Sequence, residues 1–207
     1  MTIKSVSIDS VIIYFEQSIS ENVLDQVQEM NAKVEKLDGI VDTTPSYCSI
    51  LVTYNMAIYN HKSIKKVLRD MFKELNTIKT DCSIKSNPQV IIVPTDYSKN
   101  LDLERVARYN NLTVEDVITL HTQRVYRVYA IGFMVGFAYL AQVDHKIATP
   151  RIDTPRAKVP KGSVAIADRQ TAIYPQDSAG GWNIIGETEF NNFEQFSIGD
   201  SVQFTRL

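Results

Sequence analysis

The N-terminal part of the chain alternates between the apolar spacing of strands and that of helices. Four apolar residues alternate with mostly polar neighbours and predict one half-buried strand: Val6, Ile8, Ile12 and Tyr14. Ser18 and Glu21 match a capping box, which predicts that a helix begins there. The apolar stripe of this helix repeats every three or four residues and comprises Val23, Leu24, Val27, Met30, Val34 and Leu37.

The pattern continues with two strands, a second helix and a further strand. Apolar residues at 40–41 and 48–54 predict two strands around the turn Thr44-Pro45-Ser46. Ser63 is expected to cap the second helix, whose apolar face comprises Ile64, Val67, Leu68, Met71, Phe72 and Leu75. Gln89 to Val93 predicts a short strand. The order strand, helix, strand, strand, helix, strand is typical of a ferredoxin-like domain, which we assign to residues 1–94.

The rest of the chain, residues 95–207, is interpreted as a helical connector followed by a β-rich domain. Apolar residues around Leu103 predict one short helix, and Thr113 with Asp116 is a capping box for another. Beyond residue 131 the apolar runs are short and separated by turn residues, which favours a barrel or a sandwich. Seven of the eight glycines fall at or after Gly132, so turn-forming residues become frequent where the β-rich domain is expected to begin.

Composition narrows the function classes. The chain has 207 residues, 44% of them hydrophobic, and a formal net charge of −2, so we expect neither nucleic acid nor membrane as a partner. The first residues lead into an alternating pattern rather than the apolar core of a signal peptide, so a cytoplasmic location is expected. Cys48 and Cys82 are far apart and are interpreted as reduced thiols. The three histidines share no spacing that builds a metal site, so no metal is predicted.

Two segments of the β-rich domain are candidates for chemistry. Two glycines flank aromatic residues between Gly132 and Leu140, which suits either a core strand with bulges or an aromatic site. The doubled motif Thr149-Pro150-Arg151 and Thr154-Pro155-Arg156 sets two arginines on a stiff, extended stretch. Such arginines suit the binding of a carboxylate or a phosphate, and a solvated loop explains the same pattern equally well.

Two further residues carry open alternatives. His121 ends the helix that begins at Thr113. One interpretation is a cation favoured by the helix dipole at this end. The other is a functional group that transfers a proton or binds the substrate. Trp182 follows Gly180-Gly181 and is interpreted more readily as a core or rim aromatic than as a platform for a ligand.

An ordered set of short motifs spans about 65 residues of the β-rich domain and is specific as a set. The motifs are Leu120-His121-Thr122, Tyr126-Arg127-Val128-Tyr129, Gly132-Phe133-x-x-Gly136-Phe137-x-Tyr139-Leu140, Thr149-Pro150-Arg151, Pro155-Arg156, Val159-Pro160-x-Gly162-Ser163-Val164, Gln170-Thr171, Ile173-Tyr174-Pro175, Ser178-x-Gly180-Gly181-Trp182 and Ile185-Gly186-x-Thr188. Together they closely resemble the family of 5-oxoprolinase B subunits, also known as the kinase A inhibitor KipI or allophanate hydrolase subunit 1. That family usually has proline where Val135 and Ala179 stand, and glycine where Asp168 and Ala172 stand.

The resemblance implies an α+β protein, with a cyclophilin-like β-barrel behind the smaller N-terminal domain. It implies a component of a hydrolase that is inactive alone and that, with its partners, opens 5-oxoproline to glutamate. The implied partners are the 5-oxoprolinase C subunit, similar to a biotin-dependent carboxyltransferase, and an A subunit of the LamB/YcsF type. ATP with Mg would act at the level of the complex, with no cofactor held tightly by this chain alone.

The site expected from the motifs has two groups of residues. His121, Arg151 and Arg156 are the catalytic candidates, with the arginines binding an anion and His121 moving a proton or orienting the substrate. Phe137, Tyr139 and Tyr174 are the substrate-binding candidates. The same resemblance allows an alternative of another class, a KipI-like inhibitor of a sensor histidine kinase that presents its aromatics to a protein.

Overall fold

A computed structural model describes residues 1–77 and 90–207, and the chain divides into two compact units, Met1–Ser86 and Asn87–Leu207. The elements of the first unit are β1 (Thr2–Ser7), β2 (Ser10–Tyr14), α1 (Glu21–Val34), β3 (Ile40–Ser46), β4 (Ser49–Tyr54) and α2 (His61–Thr77). Its strands form one antiparallel sheet in the order β1-β2-β4-β3. The apolar faces predicted for the two helices are the ones that pack in the core of this unit. Val27 and Met30 of α1 and Leu68 of α2 are fully buried there.

The single strand predicted over 6–14 is a hairpin. Ile8 and Asp9 form its turn, where the Ser7 hydroxyl donates to the Asp9 carboxylate at 2.5 Å. The phase of the second strand is also opposite to the prediction, because Val11 and Ile13 are buried whereas Ile12 is only half-buried. Residues 11–13 are all apolar, so alternation alone does not determine which of them faces the core.

The predicted caps and one turn of this unit also shift by a few residues. Ser20 rather than Ser18 caps α1, and its Oγ accepts from the backbone N–H of Val23. Asn60 caps α2, and Ser63 supplies the return half of that cap by accepting from the Asn60 N–H at 2.9 Å. The turn expected at 44–46 lies at 47–48 because β3 continues through Pro45; β3 is an edge strand, which tolerates proline. Cys48 is therefore in a turn rather than in a strand, and Cys82 lies outside the described residues.

Within its described residues, the second unit contains a seven-stranded sheet, a separate two-stranded sheet and two α-helices. Its elements are β5 (Ile91–Thr95), α3 (Leu103–Tyr109), α4 (Val114–Thr122), β6 (Val125–Ile131), β7 (Ala138–Ala141), β8 (Arg156–Val159), β9 (Ser163–Ala167), β10 (Gln170–Ile173), β11 (Ser178–Gly180), β12 (Asn183–Glu187) and β13 (Ser201–Arg206). The sheet runs β12-β9-β10-β7-β6-β13-β5, and Asp96 next to β5 bridges to Glu187 in β12. This bridge brings the two edges together, so the sheet is a nearly closed barrel. The α+β fold class with a C-terminal barrel is therefore confirmed.

The strand predicted at 89–93 belongs to the barrel rather than to the first sheet. β5 pairs in parallel with β13, with Ile91 opposite Val202, and Gln89 lies outside the described residues. The place of a fourth strand in the first sheet is taken by β1. The division between the units accordingly falls before β5, whereas the sequence places it after residue 94. A short apolar strand carries no information about which sheet it joins, because its partner is more than a hundred residues away along the chain.

Apolar side chains of the barrel pack into two different clusters, because alternate residues of a strand point to opposite faces of the sheet. The barrel core draws on all seven strands and on α3 and α4, with Val164, Ile173 and Ile185 among its residues. The opposite face of β7, β9, β10 and β12 carries a second cluster, which we call the outer cluster: Phe137, Val159, Ala165, Ala167, Ala172, Tyr174, Trp182 and Ile184. None of the helices in the described ranges is long and apolar enough to cross a membrane.

Candidate functional site

A pocket of about 230 Å³ lies over the outer cluster. Its lining residues are Phe133, Phe137, Tyr139, Arg151, Pro155, Tyr174, Ala179, Gly180, Gly181 and Trp182. Pockets that bury drug-sized ligands measure roughly 300 to 1,000 Å³, so this one suits a smaller molecule. Five of the ten lining residues are aromatic and one, Arg151, is charged.

Phe137 organises the aromatic wall of the pocket. Its ring centroid lies 4.8 Å from that of Tyr139, 5.4 Å from that of Tyr174 and 5.8 Å from that of Trp182, each in an edge-to-face arrangement. Pairs of this geometry are favoured by the ring quadrupoles. Phe137 and Tyr174 are both buried and Tyr139 is half-buried, so Phe137 holds three residues of the pocket wall in place.

Gly180 leaves room for Tyr174. A Cβ atom on Gly180 would lie 2.3 Å from the Tyr174 hydroxyl oxygen, well inside van der Waals contact. The hydroxyl also takes part in a hydrogen bond with the backbone of Trp182. The glycine at this position is therefore required by the close approach of the Tyr174 ring rather than by backbone flexibility.

Arg151 supplies the positive charge of the pocket. Its guanidinium carbon lies 5.8 Å from the centre of the Trp182 ring, in a cation–π arrangement. Burial raises the pKa of Tyr139 and of Tyr174, and Arg151 opposes both shifts. Both phenols therefore stay protonated at neutral pH and can donate hydrogen bonds to a ligand. The pocket thus combines flat apolar walls, two hydroxyl donors and one cation.

Arg156, the second arginine of the doubled motif, does not line the pocket. Its Nη2 donates to Asp102 Oδ1 at 2.7 Å, and Asp102 also accepts from the backbone N–H of Ile184 at 2.7 Å. Asp102 is buried and immediately precedes α3, so this pair ties β8 and β12 to the start of that helix. Arg156 is thus paired with Asp102 through Nη2, while its buried Nη1 has no hydrogen-bond partner among the described residues, and the anion-binding role of both arginines stays a prediction.

His121 lies in the barrel core and not in the pocket. Its side chain is 0% exposed, with Nδ1 2.7 Å from the Tyr97 hydroxyl and Nε2 2.9 Å from the Thr171 hydroxyl. Burial lowers the pKa of His121 to about 3, so the ring is neutral at physiological pH. Because both ring nitrogens are occupied and solvent is excluded, this placement is at odds with the expected proton transfer to a substrate.

The structure adds residues that the sequence argument left outside the site. Phe133, Pro155, Gly180, Gly181 and Trp182 join the predicted Phe137, Tyr139, Arg151 and Tyr174. The signal for Trp182 was the preceding Gly-Gly pair, since glycines next to an aromatic residue mark a close approach of backbone and ring.

The four departures from the family pattern fall in different surroundings. Val135 is 81% exposed, whereas Ala172 is fully buried in the outer cluster. Ala179 lines the pocket. Asp168 stands at φ +51°, a conformation in which glycine is favoured and aspartate is tolerated. Of the four, only Ala179 therefore touches the space that a ligand would fill.

No group of three or more histidine, cysteine, aspartate or glutamate side chains in the described ranges is arranged to hold a metal ion. The chemistry available in the pocket is therefore that of the guanidinium, the two phenols and the aromatic faces.

Residues 1–199 match the family model described as carboxyltransferase domain, subdomain C and D. The chain is 34% identical to the 5-oxoprolinase B subunit of Bacillus subtilis (strain 168) over 216 residues, covering 96% of this chain and 89% of that protein. Among solved structures, the conserved uncharacterized protein PH0987 from Pyrococcus horikoshii is 35% identical, with a TM-score of 0.55 over 100% of this chain and 97% of that one. The TTHA0988 crystal structure matches with a TM-score of 0.80 at 28% identity over 97% of this chain, which spans only 41% of that longer protein.

Proposed function

Because this chain belongs to the family described as carboxyltransferase domain, subdomain C and D, and within it to the 5-oxoprolinase B subunits, we propose that it is the B subunit of an ATP-dependent 5-oxoprolinase. In this role it binds 5-oxoproline, the five-membered lactam of glutamate, and presents it for ring opening. The protein works in the cytoplasm, where ATP is made, and acts only when assembled with its partners.

The observation that carries this proposal is the match between the pocket and the ligand. 5-Oxoproline is a small, nearly flat ring that carries one carboxylate and one amide carbonyl. Arg151 is the charged group for the carboxylate, and Trp182 with Phe137 offers flat faces for the ring. The hydroxyls of Tyr139 and Tyr174 are protonated donors suited to the lactam oxygen.

The chemistry of the substrate explains why ATP is required. A lactam resists water because its amide nitrogen donates electrons to the carbonyl. Transfer of the γ-phosphoryl group of ATP to the lactam oxygen makes that oxygen a leaving group. One water attacks the ring carbon and the C–N bond breaks, which leaves the amine and an acyl phosphate, γ-glutamyl phosphate. A second water hydrolyses this acyl phosphate to glutamate and inorganic phosphate. In this chain, hydrogen bonds from the two phenols and the charge of Arg151 would stabilise the negative charge that develops.

The triphosphate site is proposed to lie in a partner protein of the complex. The pocket of about 230 Å³, with a single cation among its lining residues, is too small to hold a nucleoside triphosphate beside the lactam. The partners proposed are the C subunit, similar to a biotin-dependent carboxyltransferase, and the A subunit of the LamB/YcsF type. The relatives are named as B subunits of 5-oxoprolinase, which supports assembly into a complex.

The single tryptophan of the chain makes the binding step directly measurable. Trp182 is the only tryptophan and it lines the pocket, so its fluorescence should change when 5-oxoproline is added to the purified chain. Proline, which lacks the lactam carbonyl, is the matched control and should bind more weakly. When this chain is mixed with its two partners, ATP and 5-oxoproline, glutamate should form at a rate that Arg151→Ala reduces. A folded, assembled complex that makes no glutamate would refute the proposed function.

A further inference from the structure

Two hydrogen bonds join the neighbours of Arg151 to the neighbours of Trp182, one between backbone groups and one from a side chain. The backbone N–H of Ile152 donates to the carbonyl oxygen of Gly181 at 2.9 Å. One residue before Arg151, the carbonyl oxygen of Pro150 accepts instead from Nδ2 of the Asn183 side chain at 3.0 Å. The segments 150–152 and 181–183 therefore run side by side, and Arg151 and Trp182 stand opposite each other between the two bonds.

The Asn183 side chain is buried and fully hydrogen-bonded, so its position is well defined. It is 0% exposed, and the same Nδ2 also donates to the carbonyl oxygen of Ile166 at 3.0 Å. Its Oδ1 accepts from Nη1 of Arg105 on α3. That Nη1 also donates to the Pro150 carbonyl oxygen at 3.3 Å. The side chain thus has partners for both amide protons and for its oxygen, as a buried amide requires.

Arg151 itself has no such support. It is exposed, and none of the described residues forms an ion pair with it. A long, mobile side chain binds an anion well only if its backbone is placed so that little freedom is lost on binding. Its backbone is placed by the bonds that flank it. On one side Ile152 N–H donates to Gly181, and on the other the Pro150 carbonyl oxygen accepts from Asn183 at 3.0 Å and from Arg105 at the longer 3.3 Å.

We propose that Asn183, backed by Arg105, is the positioning residue that sets Arg151 over the Trp182 ring and thereby determines the affinity of the pocket for a small carboxylate. Neither Asn183 nor Arg105 lines the pocket, so both act through Arg151 rather than on the ligand. The identity of the carboxylate, 5-oxoproline, rests on the proposed function; the positioning itself does not.

A double-mutant cycle on the full chain tests this role. Trp182 fluorescence would give the dissociation constant of 5-oxoproline for wild type, Asn183→Ala, Arg151→Ala and the double variant. Loss of one charge-assisted hydrogen bond weakens binding by about 10- to 100-fold, and we expect both single variants to fall in that range. The double variant should bind no more weakly than Arg151→Ala alone. If the two losses multiply instead, Asn183 does not act through Arg151 and the proposal fails.

Controls separate positioning from general damage. Thr188→Val removes a buried hydroxyl that donates to the Pro94 carbonyl oxygen at 2.5 Å in the same unit, away from the pocket, and should leave the dissociation constant unchanged. If Asn183→Ala does not fold, Arg105→Gln is the substitute variant. It removes the guanidinium that donates to Asn183 Oδ1 and leaves Asn183 itself in place. It should weaken binding in the same direction, and unchanged affinity in that variant would overturn the proposal.

A measurement without ligand keeps this inference distinct from the proposed function. The indole Nε1–H resonance of Trp182 in ¹⁵N-labelled protein reports the cation above the ring. Arg151→Ala should shift it, Asn183→Ala should reproduce most of that shift, and Thr188→Val should not. If wild type does not bind 5-oxoproline but the resonances follow this pattern, the proposed substrate is wrong and the positioning role stands. An unshifted resonance in Arg151→Ala or Asn183→Ala overturns the positioning role whatever the ligand.

Discussion

Nδ1 of His121 lies 2.7 Å from the hydroxyl oxygen of Tyr97, inside the barrel core. Nε2 of the same ring lies 2.9 Å from the hydroxyl of Thr171 in β10, so the imidazole joins α4 to the strand that leads to Tyr174. A neutral imidazole has one donor and one acceptor nitrogen and suits two hydroxyl partners. His121 is thus a buried link between these elements, outside the residues that line the pocket, and its role in proton transfer stays a prediction.

This burial predicts an acid sensitivity with a definite sign. The pKa of His121 is about 3 in the folded chain, below its ordinary value of 6.5, so the unfolded state takes up the proton first. Stability from this group is therefore complete above pH 6.5 and decreases as the pH falls towards 3, by at most about 1.4 kcal/mol per pH unit. Urea unfolding at about pH 7.5 and about pH 5 measures the loss. The loss should be smaller in His121→Gln, while His145→Gln, an exposed histidine, should behave as wild type.

The two arginines of the doubled motif should separate binding from stability. Arg151→Ala should abolish most ligand binding and change the free energy of unfolding by less than about 1 kcal/mol, because the side chain is exposed. Arg156→Ala removes the partner of buried Asp102 and should lower the free energy of unfolding by about 1 to 3 kcal/mol. Denaturant titration and Trp182 fluorescence distinguish the two. Equal losses of affinity in both variants would place Arg156 in the site after all.

Gly180 and Gly132 form a matched pair for the shape of the pocket. Gly180→Ala adds a Cβ atom 2.3 Å from the Tyr174 hydroxyl and must displace that ring, so ligand affinity should fall by about tenfold or more. A Cβ atom at Gly132 meets nothing within 4 Å, so Gly132→Ala should leave affinity and stability close to wild type. Affinity that is unchanged in Gly180→Ala would show that the position of Tyr174 does not matter for binding.

Asp168 offers a test of backbone strain. It adopts φ +51° at an exposed position between β9 and β10. Asp168→Gly should raise the free energy of unfolding by about 0.5 to 1 kcal/mol, because glycine takes this conformation without a Cβ penalty. Asp168→Val should lower it, since a β-branched residue is strongly disfavoured there. Thermal unfolding of the two variants and of wild type gives the order, and a valine variant as stable as the glycine variant would contradict it.

Much of the local structure was predictable from the sequence. The capping box of Thr113 and Asp116 begins α4 as expected, and the predicted apolar face of α1 is the buried one. The short strands expected beyond residue 131 are also present, as β7 to β13. These features depend on the spacing of neighbouring residues, which is written directly in the sequence. The pocket residues Phe137, Tyr139, Arg151 and Tyr174 also came from the motifs, although their grouping did not follow from spacing.

What only the tertiary structure decided concerns residues that are distant along the chain. By sequence, Arg151 and Arg156 are equivalent; Trp182 engages the first and Asp102 the second. The sequence shows His121 only as a histidine at a helix end, and the fold places it between the hydroxyls of Tyr97 and Thr171. β5 took its partner from the C-terminal strand β13. The sequence determined which elements form because each depends on its own residues. It could not determine the roles of these side chains, because each role depends on the partner that the fold brings to it.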